Sequence, residues 1–143
     1  MESIAEKVKE KFGNKTIKYF EKNVKRHYFD VDAANIVELT KILFHGMEFR
    51  FITATGIHTR GGFEILYHFS YDKTGEVVSL RVILNEKEKP EIDSITPLFI
   101  GAEWIEREMC EMLGINFRNH PNLKKLLLDS SWPDGKYPLR QTE

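Results

Sequence analysis

The sequence predicts an α+β fold: a single domain with a mixed β-sheet, helices packed on it and an irregular C-terminal extension. Three observations carry that expectation. Residues 63–71 alternate Phe63, Ile65, Tyr67, Phe69 and Tyr71 with Glu64, Leu66, His68 and Ser70. That is the period of a strand with one buried face. Ile4, Val8 and Phe12 recur every fourth residue, the period of an amphipathic helix. Beyond Gly114 neither period holds, and proline, asparagine and large apolar residues alternate irregularly. The expected division is an α+β core over 1–114 and an extended docking segment over 115–143.

Ser3 and Glu6 have capping-box spacing, so the first helix spans residues 3–12 and ends at Gly13. Lys15–Phe20 and Lys25–Val31 read as strands around the polar turn Glu21-Lys22-Asn23. Asp32 caps a second helix, whose Ile36, Val37, Thr40, Leu43 and Phe44 share a face until Gly46. A strand over Glu48–Thr55 meets Gly56. The turn Asp72-Lys73-Thr74-Gly75 joins Phe63–Tyr71 to Glu76–Leu84 as a hairpin. Asn85–Asp93 reads as a charged linker containing Pro90. The third helix runs from about Ala102 to Leu113, with Trp104, Ile105, Met109 and Met112 as its apolar stripe and Gly114 at its end.

Composition narrows the function. Of 143 residues, 41% are apolar and 30% charged, which suits a soluble globular domain able to bury a core without disulfides or metal. The net charge of −1 makes no case for nucleic acid or anionic lipid. Residues 1–26 nevertheless hold eight Lys/Arg against four Asp/Glu, leaving −5 for the remainder. Lys7, Lys9, Lys11, Lys15, Lys18, Lys22, Lys25 and Arg26 make either a solvated basic face or a nucleic-acid-binding module. No stretch approaches the ~20 apolar residues of a membrane span. Cys110 is the single cysteine, so no disulfide framework or all-cysteine metal site can form in one chain, as suits a reducing, cytoplasmic setting.

Catalytic motifs are missing from the sequence. His27, His45, His58, His68 and His120 never stand three to five residues apart, and GxGxxG, GxxxxGK[ST] and GxSxG do not occur. Glu103, Glu106, Glu108 and Glu111 load the third helix with carboxylates, and Arg107 lies four residues from both Glu103 and Glu111. Glu108 falls inside the apolar stripe. It is expected either to meet a cation, Arg118 or Arg140, or to face another chain. An enzyme using Glu108 and His120 as acid and base is the alternative. Cys110, beside Glu106 and Glu111, lacks the electropositive setting of a nucleophile. Trp132, Tyr137, Pro138 and Leu139 have no local periodicity to bury them, and the prolines stiffen the segment for docking.

Trp104-Ile105-Glu106-Arg107-Glu108, Gly114-Ile115-Asn116-Phe117, His120-Pro121-Asn122-Leu123 and Pro138-Leu139-Arg140 together resemble one family's signature. That family is the thirty-kilodalton (C) subunit of respiratory complex I, NADH:quinone oxidoreductase, with its counterpart in membrane-bound energy-converting [NiFe] hydrogenases. Phe63–Phe69 resembles the family's F-E-[LV]-x-Y-x-[LF] strand. Asn119 stands where the family has glycine, Glu111 where it has aspartate, and Gln141 where it has lysine. The short C-terminus leans toward the hydrogenase-type complexes.

The resemblance implies a non-catalytic subunit without cofactor or metal, lying peripherally on the cytoplasmic face of the cell membrane and held there only through other subunits. Its partners would be the large quinone-pocket or [NiFe] subunit and the iron–sulfur subunits of the same complex, not nucleic acid. The implied partner-binding residues are Glu106, Arg107, Glu108, Phe117, His120, Pro121, Trp132, Pro138, Leu139 and Arg140.

Overall fold

Burial along residues 62–84 decides where the core lies. In the computed structural model, which describes residues 3–124, 133 and 135–140, Phe63, Ile65, Tyr67 and Phe69 are wholly buried, as the alternation requires. They sit on strand β4 (Gly62–Tyr71), which pairs antiparallel with β5 (Glu76–Leu84) through the expected turn. Val78, Leu80, Val82 and Leu84 of β5 face the same side.

The sheet extends both ways from this hairpin, in the order β1-β2-β5-β4-β3. β1 (Thr16–Asn23) and β2 (Arg26–Val31) form an antiparallel pair, and β2 runs parallel to β5. The β1–β2 turn is Val24-Lys25 rather than Glu21-Lys22-Asn23: pairing continues to Asn23↔Arg26, and the Asn23 side chain accepts from the Lys25 N–H at 2.9 Å. β3 (Arg50–Thr59) likewise runs straight through Gly56, at which the sequence suggests an end. There the chain needs a glycine for another reason. A Cβ at Gly56 would lie 2.9 Å from Leu113 Cδ1 and 3.0 Å from Met109 Sδ of the third helix.

All three helices cover one face. α1 (Ile4–Phe12) is capped by Ser3, whose Oγ accepts the Glu6 N–H at 3.2 Å, and seats Phe12 edge-on against Phe29 at 5.4 Å. Asp32 caps a 3-10 turn (Ala33–Asn35) that leads into α2 (Ile36–Lys41) and a π turn ending at Gly46, with Ile36, Leu39, Thr40 and Leu43 buried. Ring contacts from Phe44 to Phe99 and from Phe99 to Phe51 tie this end to β3.

α3 (Glu103–Leu113) ends at Gly114, left-handed at φ 78°, as expected. Its buried residues, however, are Glu106, Met109, Glu111 and Leu113, while Trp104 is 67% exposed. The helix is thus rolled away from the predicted stripe. The close approach to Gly56 brings Met109 and Leu113 under the sheet and turns Trp104 outward.

The linker over 85–93 holds an element that no local pattern in the sequence marks. β6 (Glu91–Asp93) pairs parallel with β7 (Asn116–Arg118), burying Ile92 and Phe117 side by side. The core therefore continues past Gly114 and includes Ile115 and Phe117. A boundary at 114 cuts through it.

Candidate functional site

α3 presents an inner polar cluster and an outer apolar strip, and both derive from its sequence. On the inner side Glu106 is completely buried, as an isolated carboxylate could not be without large cost. Its surroundings supply donors. Ser94 Oγ donates to Oε1 at 2.5 Å, the Ile95 N–H to Oε2 at 3.0 Å and the Thr96 N–H to Oε1 at 3.3 Å, and Thr96 Oγ1 donates to Oε1 as well. The carboxylate thereby ties the segment after β6, and the 3-10 turn Thr96–Leu98, to α3.

His120 closes the other side of the cluster. The Asn122 N–H donates to its Nδ1 at 2.9 Å, so the ring proton sits on Nε2. Nε2 faces the Glu103 carbonyl oxygen at 3.2 Å and Glu106 Oε1 at 3.9 Å. The Tyr67 hydroxyl is buried near the same carboxylate with no hydrogen-bond partner among the described residues, and burial, then the charge of Glu106, raises its pKa well above the usual phenol value. Asn119, just before this histidine, is left-handed at φ 66°. Asparagine tolerates that region better than other non-glycine residues, so it suits the place where the family pattern has glycine.

The expected contact residues thus divide. Glu106 and Phe117 are interior, and the His120 side chain is wholly covered, so none of the three offers surface. Arg107 is mostly covered too: it lies 3.7 Å from Glu103 and its Nε donates to the Lys124 carbonyl at 3.1 Å. Glu108 is half-buried, and neither expected arginine reaches it. Arg118 pairs instead with Asp93 at 2.9 Å and Glu91 at 3.8 Å, whereas Arg140 bonds main-chain carbonyls. Glu108 lines a groove that His120 does not, so the acid–base pairing of these two is not assembled. Trp132 lies outside the described residues. Ser94 and Thr96 are hydrogen-bond partners of Glu106 that motif reasoning misses; their only signal is two hydroxyls flanking Ile95 before Pro97.

The outer side is apolar. Ile100 and Trp104 are 71% and 67% exposed, and Leu139 is 59% exposed. Leu139 lies at a groove of about 230 Å³ between α3 and β3, with Ile105, Glu108, Met112 and Gly56 among its walls. Pro121 and Pro138 are exposed nearby in sequence to these elements. The chain end is held here by its own contacts: the Leu139 N–H donates to the Met112 carbonyl at 2.9 Å and Arg140 Nε to that of Leu113 at 2.6 Å. The Arg140 guanidinium also stacks over Tyr137, 4.5 Å from the ring centre.

The basic N-terminal residues do not form one surface. Lys9 lies over the Tyr19 ring at 3.7 Å, Lys15 is paired with Glu38, and Lys25 donates to the Thr74 carbonyl. Among the described residues, no three His, Cys, Asp or Glu side chains come together as a metal set, and no helix is long and apolar enough to cross a membrane.

Comparison with known proteins agrees with the motifs on α3 and after it. The family model described as "Respiratory-chain NADH dehydrogenase, 30 Kd subunit" matches residues 29–143. The C-type subunit of the NADH-quinone oxidoreductase of Citrifermentans bemidjiense is 34% identical over 115 residues, 78% of this chain and 70% of the relative. The C/D-type subunit of the NADH-quinone oxidoreductase of Photorhabdus laumondii is 39% identical over 103 residues, covering 69% of this chain but only 17% of the relative. The fold is shared with a chain of the membrane-bound sulfane sulfur reductase, an archaeal respiratory membrane complex, at TM-score 0.84 and 19% identity over 96% of this chain and 81% of that one. It is also shared with a trypsin-resistant fragment of Nqo5, at TM-score 0.64 and 23% identity over 84% and 96%.

Proposed function

The chain belongs to the respiratory-chain NADH dehydrogenase 30 kDa subunit family, and on that premise we propose that it is a non-catalytic subunit of a membrane-associated redox complex. The complex is of the complex I or energy-converting [NiFe] hydrogenase type. The chain docks on and stabilises the large quinone-pocket or [NiFe] subunit beside its iron–sulfur partners, at the cytoplasmic face, and carries no cofactor itself.

One observation supports the docking role above others. Ile100, Trp104 and Leu139 expose large apolar side chains along the outside of α3, where the fold has no use for them. Tryptophan at the centre of such a strip is the kind of residue that dominates interface energetics. Glu108, Pro121 and Pro138 border it, while Glu106, Phe117 and His120 act from beneath by fixing its shape. The Photorhabdus relative bears two subunit letters on one chain, which supports the large subunit as the neighbour.

The test is affinity purification of the tagged chain from solubilised membranes of its host, alongside an Ile100→Asp/Trp104→Asp variant. The wild-type chain is expected to bring down the large and iron–sulfur subunits, and the folded variant to lose them. A wild-type chain recovered alone overturns the proposal.

A further inference from the structure

The helices cover one face of the sheet, and no described element covers the other. Lys18, Phe20 and Lys22 of β1 point to this open face together, opposite Asp30 and Tyr28 of β2. Phe20 is 56% exposed, and its ring lies 6.2 Å from that of Tyr28. These residues, with Leu66 of β4, line a groove of about 410 Å³. Its far wall is ion-paired: Arg81 lies 2.9 Å from Glu64 and 3.6 Å from Asp30. The near wall is not. Lys18, Lys22 and, at the end of β2, Arg26 make no ion pair among the described residues. Ile83 and Ile57, nearly half exposed, extend the apolar floor across the sheet.

We propose that this groove receives an acidic, apolar-centred polypeptide segment of another subunit, its apolar side chain seated on Phe20, Tyr28 and Leu66 and its carboxylates on Lys18 and Lys22. The two lysines are four residues apart on one strand, about 13 Å, so they suit carboxylates two to four residues apart on an extended segment. The occupant is a protein rather than nucleic acid, because three cations beside two carboxylates are too few to follow a phosphate backbone. An apolar patch with one unbalanced sign of charge at its rim selects its complement. Residues 16–28 precede the family match at 29–143, so half of the groove's lining, Lys18, Phe20, Lys22 and Tyr28, comes from a part of the chain that the family model does not describe.

The proposal rests on the subunit reading above, and the experiment separates the two. p-Benzoylphenylalanine is incorporated in place of Phe20 or, separately, of Leu139, and each assembled complex is irradiated and its adducts mapped by mass spectrometry. An adduct from position 20 on an acidic segment is expected. Lys18→Glu/Lys22→Glu should lower its yield about tenfold or more while leaving the position-139 adduct and the melting temperature unchanged. Restoration by reversing the mapped carboxylates to lysine would complete the support. An adduct at 139 but none at 20 overturns the groove proposal alone. So does an adduct on nucleic acid, on lipid or on a segment without acidic residues, or one indifferent to the charge reversal. Absence of both adducts overturns the docking reading as well.

Discussion

Arg140 donates its Nε–H to the main-chain carbonyl of Leu113 at 2.6 Å, so the end of the described chain closes the end of α3. A second donor, its Nη2, reaches the Glu88 carbonyl at 3.2 Å, and the cation sits where the helix leaves its carbonyls unpaired. Gly114 makes the approach possible: a Cβ there would come within 2.5 Å of Tyr137 and 2.6 Å of Arg140, at a φ that side chains avoid.

Arg140→Ala should therefore lower unfolding stability by about 1–3 kcal/mol, since it removes charge-assisted bonds to two carbonyls and the stacking on Tyr137. Gly114→Ala should cost a similar ~1–2 kcal/mol from backbone strain alone and also release the 135–140 segment to proteolysis. Urea titration and limited digestion measure both. A variant as stable and as resistant as wild type would contradict the role given to this contact.

Glu106→Ala leaves the Ser94 and Thr96 hydroxyls and the Ile95 N–H buried without their acceptor, and leaves the Thr96 N–H with Ser94 Oγ alone, at 3.0 Å. The loss should be at least ~3 kcal/mol, near the upper end for a buried charged group. Glu106→Gln should cost less, because one carbonyl oxygen remains and the Ser94 and Thr96 hydroxyls can turn to accept from the new amide. Chemical denaturation distinguishes these. Equal losses for both variants would mean that shape, not hydrogen bonding, is what Glu106 supplies.

His68 shares a 2.7 Å contact with Ser79 on the open sheet face, and burial, then the Arg26 charge, lowers its pKa below the ordinary 6.5. The unfolded chain then takes up a proton below pH 6.5 that the folded chain still refuses. Stability should be indifferent to this group above about pH 6.5, fall as the pH drops below it, and level off once the folded imidazole is protonated. His68→Gln should flatten that limb in denaturation curves recorded from about pH 5 to 8. A wild-type protein whose stability does not differ from the variant's across this range would refute the assignment.

Burial, then the neighbouring Glu111 carboxylate, pushes the Cys110 thiol above its usual value of 9.0. Iodoacetamide at mildly alkaline pH should modify it far more slowly in the folded protein than in urea, and Glu111→Gln should quicken the folded reaction only modestly. Equal rates folded and unfolded would show an open thiolate instead.

Local periodicity is enough for the hairpin of β4 and β5, for α1 with its Ser3 cap and for Gly114 at the end of α3. In each of these the burying partner is a sequence neighbour or the element's own repeat. It fails where partners are distant. β6 has three residues, too few for a pattern, and exists because β7 lies beside it twenty-five positions later. The stripe on α3 departs from expectation for the same reason. Trp104, Ile105, Met109 and Met112 do share one side of a helix, but Gly56 on β3 admits Met109 and Leu113 and so sets the roll.

The candidate site shows the same division. The motif around Glu106, Arg107 and Glu108 is legible as a family resemblance, yet composition and spacing favour Glu108 as the buried carboxylate. Its neighbour takes that place because Ser94, Ile95 and Thr96 bring four donors to Glu106 from a different element. Residue type and nearest-neighbour order suffice for the fold class, most element types, the family and the lack of catalytic motifs. Which acidic side chain is buried, that Trp104 is left outside and which lysines share a groove are settled only when the elements pack. Those outcomes depend on contacts between segments far apart in the chain, where a rotation of one helix exchanges an inner residue for an outer one.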